Sequence, residues 1–172
     1  MARKERRIVV VRHAKAVPKH VTDDFDRELA DRGRHDAPRA GRRLAQSGVG
    51  IDLALCSPAL RTRQTWQLMV PELSAPPTTV YEDRLYRADG EGLLSLVAGT
   101  PSGLTGLAMV GHNPGVHELV TRLCGDGPKQ LVQRLRSGFP KSAYAVLTVM
   151  GDWEEADWGA AHLDAFWAPG DE

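Results

Sequence analysis

The sequence predicts an α/β fold, a three-layer α/β/α sandwich around a mostly parallel sheet. Three observations predict it. Ile8-Val9-Val10-Val11 is an unbroken β-branched run, as in a strand covered on both faces. Strand-length apolar runs alternate with helix-length stretches along the chain. Three of those runs close in the same way, on polar residues that open a loop or helix: Arg12-His13, Ser57-Pro58 and Gly111-His112-Asn113.

Taken in order, Ile8–Val11 is the first strand, and Lys15 to Asp26 is a polar loop long enough to form a rim or lid. Arg27–Gly33 leads into an Arg/Ala-rich helix ending near Gln46-Ser47-Gly48. Pro38 lies inside it, so the helix kinks there or starts only at about Ala37, with Asp36 near its cap. Ile51–Cys56 is a second strand. Ser57-Pro58 is a favoured N-cap and first-turn pair for a helix running through Arg61, Thr62 and Thr65 to about Val70. Pro71 to Pro77 is loop, Thr78–Tyr81 a third strand, Glu82 to Asp89 irregular and Glu91–Ala98 a short helix. Leu104–Val110 is a fourth strand. Asn113 can cap, and Pro114 can open, a helix that continues to Leu123. Ala143–Met150 is a late strand, and the acidic tail with Trp153, Trp158 and Trp167 is expected to pack on the sheet.

A chain of 172 residues is expected to form one domain over 1–172, with residues 1–6 and 169–172 loose. The formal net charge is zero, so no global field draws nucleic acid or a membrane surface, and an anion site must be built locally. Arg39, Arg42 and Arg43 read as a solvated helix face rather than a nucleic-acid surface. The basic N-terminus is followed by only four apolar residues, too few for a signal sequence, and no run approaches a membrane span. Cys56 and Cys124 fit reduced thiols in apolar surroundings, so a cytoplasmic location is expected. No long exposed apolar stripe stands out, and a monomer is expected.

The three strand ends carry the chemistry. Taken singly, Arg12-His13 fits a solvated strand end, His112 a buried structural histidine and Arg61 a helix-surface residue. If the strands are sheet neighbours, two guanidiniums and two imidazoles meet at one carboxyl edge, beside two helix N-termini. That cup suits a phosphoryl group, and no carboxylate sits at these three ends to offset it. One charge pair at about 4 Å and an effective dielectric of about 20 contributes about 4 kcal/mol before desolvation. Nearby positive charge also disfavours protonation of His13 and keeps a nucleophilic lone pair available.

Val11-Arg12-His13-Ala14, Ser57-Pro58-Ala59-Leu60-Arg61-Thr62 with Thr65, and Gly111-His112-Asn113 together resemble the motif set of the histidine phosphatase superfamily, the phosphoglycerate mutase-like fold. The short length, Arg27–Gly33 and Leu85-Tyr86 are most similar to the compact SixA-type phosphohistidine phosphatases. The resemblance implies that His13 is the phosphorylated nucleophile. It implies that Arg12, Arg61 and His112 bind the phosphoryl group, with Ser57, Arg27 and Asn113 as further substrate-binding residues. It implies no cofactor and no metal.

The chain departs from the larger members of that family where they place a glutamate as general acid. That region here is Tyr81–Arg87, and the expected position carries Arg87; Glu82 and Asp83 are the substitutes at hand. An alkoxide leaving group needs a proton, whereas a phosphohistidine departs as neutral imidazole once its second nitrogen is protonated. The pattern therefore favours phosphohistidine in a protein over a phosphate ester. The competing readings are a phosphatase or mutase acting on a small phosphorylated metabolite, and a phosphoprotein-binding module. A metal site is disfavoured because His112 and His117 are five apart and no His-Glu-x-x-His or Cys-x-x-Cys occurs.

Overall fold

The computed structural model describes residues 3–171. In chain order the elements are β1 (Glu5–Arg12), α1 (Asp31–Gln46), β2 (Leu53–Cys56), α2 (Leu60–Met69), β3 (Thr78–Tyr81) and α3 (Gly90–Ala98). They continue with β4 (Gly106–Gly111), α4 (Gly115–Leu123), β5 (Cys124–Asp126), α5 (Lys129–Ser137), β6 (Tyr144–Met150) and β7 (Ala161–Trp167). The strands form one seven-stranded sheet in the order β3-β2-β4-β1-β6-β7-β5. The pairs β2–β3, β2–β4, β1–β4 and β5–β7 are parallel, and β6 runs against both of its neighbours.

The β-branched run explains why β1 is central. Ile8, Val9, Val10 and Val11 are all fully buried, and successive side chains point to opposite faces. Ile8 and Val10 join one core with Leu93, Leu119 and Leu135 of α3, α4 and α5. Val9 and Val11 join the other with Leu44 of α1 and Trp66 of α2. Burying each such side chain contributes roughly 1.5–3 kcal/mol, so a run apolar on both faces is stable only between two helical layers. The result is a three-layer α/β/α sandwich.

Several expectations need correction. Helix α1 starts at Asp31 and runs through Pro38; Asp36 is no cap but a buried carboxylate held by Arg32 and Arg39 at 3.0 and 3.2 Å. Helix α2 starts at Leu60 and α4 at Gly115, with Ala59 and Pro114 in front of them, so neither Ser57 nor Asn113 caps a helix. Residues 5 and 6 are not loose: they open β1, and Arg6 is buried with its guanidinium on the carbonyls of Gly151 and Ser102 and on Asp152. Nor is the end of the chain loose through 171, because the Asp171 carboxylate accepts from Arg134 at 2.6 Å and from the Ala168 amide at 3.0 Å. Met1, Ala2 and Glu172 lie outside the described residues.

Strands β5 and β7 and helix α5 add to the elements that the sequence predicts. The tail does pack on the sheet: β7 pairs with β6, Trp153 and Trp167 are buried, and the Trp153 indole donates to the Leu104 carbonyl at 2.8 Å. Among the described residues no helix is long and apolar enough to cross a membrane.

One glycine matters for the site. A Cβ on Gly33 would lie 2.2 Å from the Lys15 carbonyl oxygen, so α1 seats directly against the chain leaving β1 only because residue 33 is glycine.

Candidate active site

Sheet register assembles the site. The order β2-β4-β1 makes the three noted strands adjacent. Arg12 pairs with Gly111 and Cys56 with Val110, so the residues after each strand emerge side by side. The His13 amide donates to the Gly111 carbonyl at 3.1 Å, and the Ser57 amide donates to the Val110 carbonyl at 3.0 Å. Residues nearly a hundred positions apart are thereby joined: the His13 and His112 rings lie 5.3 Å apart, centroid to centroid.

His13 is buried and its orientation is fixed. Nδ1 lies 2.7 Å from the Ala14 carbonyl oxygen. A carbonyl only accepts, so Nδ1 carries the hydrogen and Nε2 keeps its lone pair. The next residue is pinned as well, since the Ala14 amide donates to Thr65 Oγ1 at 2.9 Å and that hydroxyl donates to the Arg61 carbonyl at 2.7 Å. Burial, opposed by the Ala14 hydrogen bond and reinforced by His112, Arg61 and Arg12, brings the His13 pKa down to about 3. The imidazole is neutral at physiological pH.

His112 is held from both sides. Its Nδ1 faces the Arg61 Nη2 at 3.3 Å, and its Nε2 lies 2.7 Å from the Ser57 hydroxyl. A guanidinium only donates, so Nδ1 accepts and Nε2 donates to Ser57. Burial, then Arg61, lowers the His112 pKa to about 4. Ser57 itself is fully buried and is not among the residues lining the cavity; its hydroxyl meets the site through His112.

No carboxylate sits at the three strand ends themselves, but the loop after β1 brings one to the site, Asp24. Its carboxylate accepts from Arg61 at 3.0 Å, from Arg27 at 3.0 and 3.1 Å and from the Tyr86 hydroxyl at 2.6 Å, while its carbonyl takes Arg61 Nη1 at 2.7 Å. The Tyr86 hydrogen bond first, opposed by burial and reinforced by Arg61 and Arg27, holds this carboxyl well below the usual carboxylate range. The Tyr86 ring stands edge-on to His112 with centroids 5.6 Å apart. Sequence reasoning missed both as site residues, because neither lies at a strand end.

The cavity these groups line has a volume of about 710 Å³. Arg12, Arg27 and Arg61 all reach it; Arg12 donates to the Phe139 carbonyl at 3.1 Å and has a buried Nε with no hydrogen-bond partner. Asn113 forms part of the wall, but its amide NH₂ is engaged with the Phe139 carbonyl at 2.9 Å. Glu82 and Asp83 are absent from the lining. The Glu82 carboxylate is clasped by Arg84 at 2.9 and 3.0 Å, a local pair that caps its own turn. Arg87 does reach the cavity, so the segment that could have supplied an acid supplies a cation.

A sequence profile of the Histidine phosphatase superfamily (branch 1) matches residues 8–85. An uncharacterised protein of Mycobacterium leprae is 35% identical over 165 residues, covering 92% of this chain and 99% of that protein. The proposed phosphohistidine phosphatase SixA of Agrobacterium tumefaciens is 34% identical with a TM-score of 0.79, covering 96% of this chain and 99% of that one. Its counterpart from Nakamurella multipartitia, also described as a proposed SixA, superposes with a TM-score of 0.85 at 28% identity, covering 99% and 100%. The ordered strand-end residues, their convergence and these likenesses agree, and the chain belongs to the histidine phosphatase superfamily.

Proposed function

We propose that this enzyme hydrolyses phosphohistidine in a protein through a phosphohistidine intermediate on His13, without a metal ion. The observation that carries the reading is the tautomer of His13: with Nδ1–H committed to Ala14, the Nε2 lone pair is left for phosphorus. Nε2 attacks the phosphoryl group in line as the substrate's P–N bond breaks, and the substrate imidazole leaves neutral with its second nitrogen protonated. The new phosphoimidazolium keeps its Nδ1–H on the Ala14 carbonyl. Water then attacks phosphorus, Nε2 departs as neutral imidazole, and the proton from water goes to phosphate or solvent.

Both leaving groups are imidazoles, so neither step needs an external acid. This fits a cavity that Arg87 lines and that neither Glu82 nor Asp83 reaches. Arg12 and Arg61 neutralise the transferring group, with the His112 ring set between Arg61 and Ser57 beside them, a task for which fixed guanidiniums serve without a divalent cation. The likeness to proteins described as phosphohistidine phosphatases supports the same substrate class.

The test is a histidine-phosphorylated peptide assayed with wild type and His13→Ala, with and without chelator. Wild type is expected to release phosphate equally in both conditions and to yield an acid-labile label on quenching. His13→Ala is expected to lose at least about a thousandfold in rate and all of the label. Full activity in that variant would overturn the reading.

A further inference from the structure

The mouth of the cavity carries charge that the phosphoryl chemistry does not use. Lys15, Lys19, Arg87 and Lys141 line the opening, and all four are exposed. Among the described residues none of them forms an ion pair with a carboxylate. A second hollow of about 440 Å³ opens alongside; it shares Arg12, Lys15 and Lys141 with the first and adds Arg32. Its one carboxylate, Asp36, is already clasped by Arg32 and Arg39. The whole chain has no net charge, so this concentration is local. Burial, and then repulsion from Arg12, Lys15 and Arg27, lowers the Lys141 pKa.

The same rim carries apolar surface. Val21 is 58% and Phe25 38% exposed, two of the few large hydrophobic side chains left open to solvent. Both lie on the loop that supplies Lys19 and Asp24 to the cavity, and Phe25 meets the Tyr86 ring edge-on with centroids 5.1 Å apart. A small phosphorylated metabolite would use neither. Aromatic and apolar groups ringed by basic residues are the anatomy of a protein-docking surface.

We propose that this mouth docks an acidic protein, with Lys15, Lys19, Arg87 and Lys141 taking carboxylates that flank the phosphorylated residue and Val21 and Phe25 meeting an apolar patch beside them. The inference rests on the phosphoprotein reading above and adds the chemistry of the partner. Exposed charges of this kind act mainly on encounter rate, and their effect is screened by salt.

Three probes test it: a phosphohistidine peptide flanked by Asp and Glu, the same peptide flanked by Ser and Gln, and free phosphohistidine. Each is assayed at about 50 and about 300 mM salt, across which the Debye length shortens more than twofold. The acidic peptide is expected to show roughly tenfold higher kcat/KM than the neutral one at low salt, with most of the advantage lost at high salt. The double variant Lys19→Ser/Lys141→Ser is expected to abolish that preference and leave turnover of free phosphohistidine unchanged. Equal wild-type rates on the two peptides would overturn the proposal without touching the phosphatase reading. So would an equal loss on free phosphohistidine in the lysine variant, which would place those cations in small-substrate binding. If wild type hydrolysed free phosphohistidine but neither peptide, the phosphoprotein reading and the docking surface would fail together.

Discussion

Oδ2 of Asp24 lies 3.0 Å from Nη2 of Arg61, and the Asp24 carbonyl takes Nη1 of the same guanidinium at 2.7 Å. An arginine fork of this kind matches a phosphate or a carboxylate equally well. In the structure the carboxylate has it, so an incoming oxyanion must share or displace Asp24. The Asp24 side chain is 43% exposed, which limits the competition to a modest effect. Asp24→Asn is therefore expected to tighten inhibition by inorganic phosphate or tungstate roughly five- to tenfold, about 1–1.4 kcal/mol. The inhibition constant measured for both proteins checks this. Weaker inhibition in the variant would mean that the carboxylate aims Arg61 rather than occupying it.

Ser57 is expected to matter without touching substrate. Its hydroxyl takes the Nε2–H of His112 at 2.7 Å, and Ser57→Ala leaves that buried donor with no partner. Losing one such bond costs about 1–3 kcal/mol, here spent on the orientation of His112. We expect kcat to fall by roughly tenfold or more with KM changed less than twofold, and Ser57→Thr to recover part of the loss. Steady-state kinetics on the three proteins decide it; a rise in KM alone would return Ser57 to direct substrate binding.

Glu82 and Asp83 are expected to be dispensable. Glu82 is tied to Arg84 and Asp83 opens a short turn, and neither reaches the cavity. Glu82→Gln and Asp83→Asn should each leave kcat on phosphohistidine and on an aryl phosphate within about twofold, since surface changes of this kind rarely exceed about 0.5 kcal/mol. A large loss confined to the aryl phosphate would reveal a general acid after all.

What the sequence made legible follows from how each feature is encoded. The β-branched run of β1 and the polar residues ending β1, β2 and β4 are local signals. Parallel register converts them into one site, so His13, Arg12, Arg61 and His112 could be picked out before any coordinates. Asp24 and Tyr86 could not. Each lies in irregular chain, and only the path of the loop after β1 carries Asp24 onto Arg61, a tertiary outcome with no local period. The helix caps failed for a related reason: Ser57 and Asn113 have the right chemistry for capping, but His112 and Phe139 claim their side chains. Strand β5 is only three residues long and contains Gly125, and α5 shows few apolar residues among its charges, so neither rises above loop-like composition. Strand β7 does alternate, with Ala161 and Leu163 buried and His162 and Asp164 exposed or nearly so, but its proximity to an acidic, tryptophan-containing tail hid that period.

The two site histidines link stability to pH. His13 and His112 titrate near 6.5 in an unfolded chain, but burial lowers them to about 3 and about 4 in the fold. Between those values and 6.5 the unfolded state binds more protons than the native state, so stability rises with pH across that window and is lost as pH falls. Above about 6.5 both states hold the rings neutral and the dependence vanishes. Each group contributes a slope of up to about 1.4 kcal/mol per pH unit. Urea midpoints measured from pH 7 down to 4.5 are expected to decline for wild type and to decline less for His13→Gln and for His112→Gln, with the double variant flattest. Carboxylates elsewhere titrate alike in all four proteins and cancel in the comparison. A wild-type curve parallel to that of the double variant would mean that neither ring is held neutral, and the lone pair assigned to His13 would go with it.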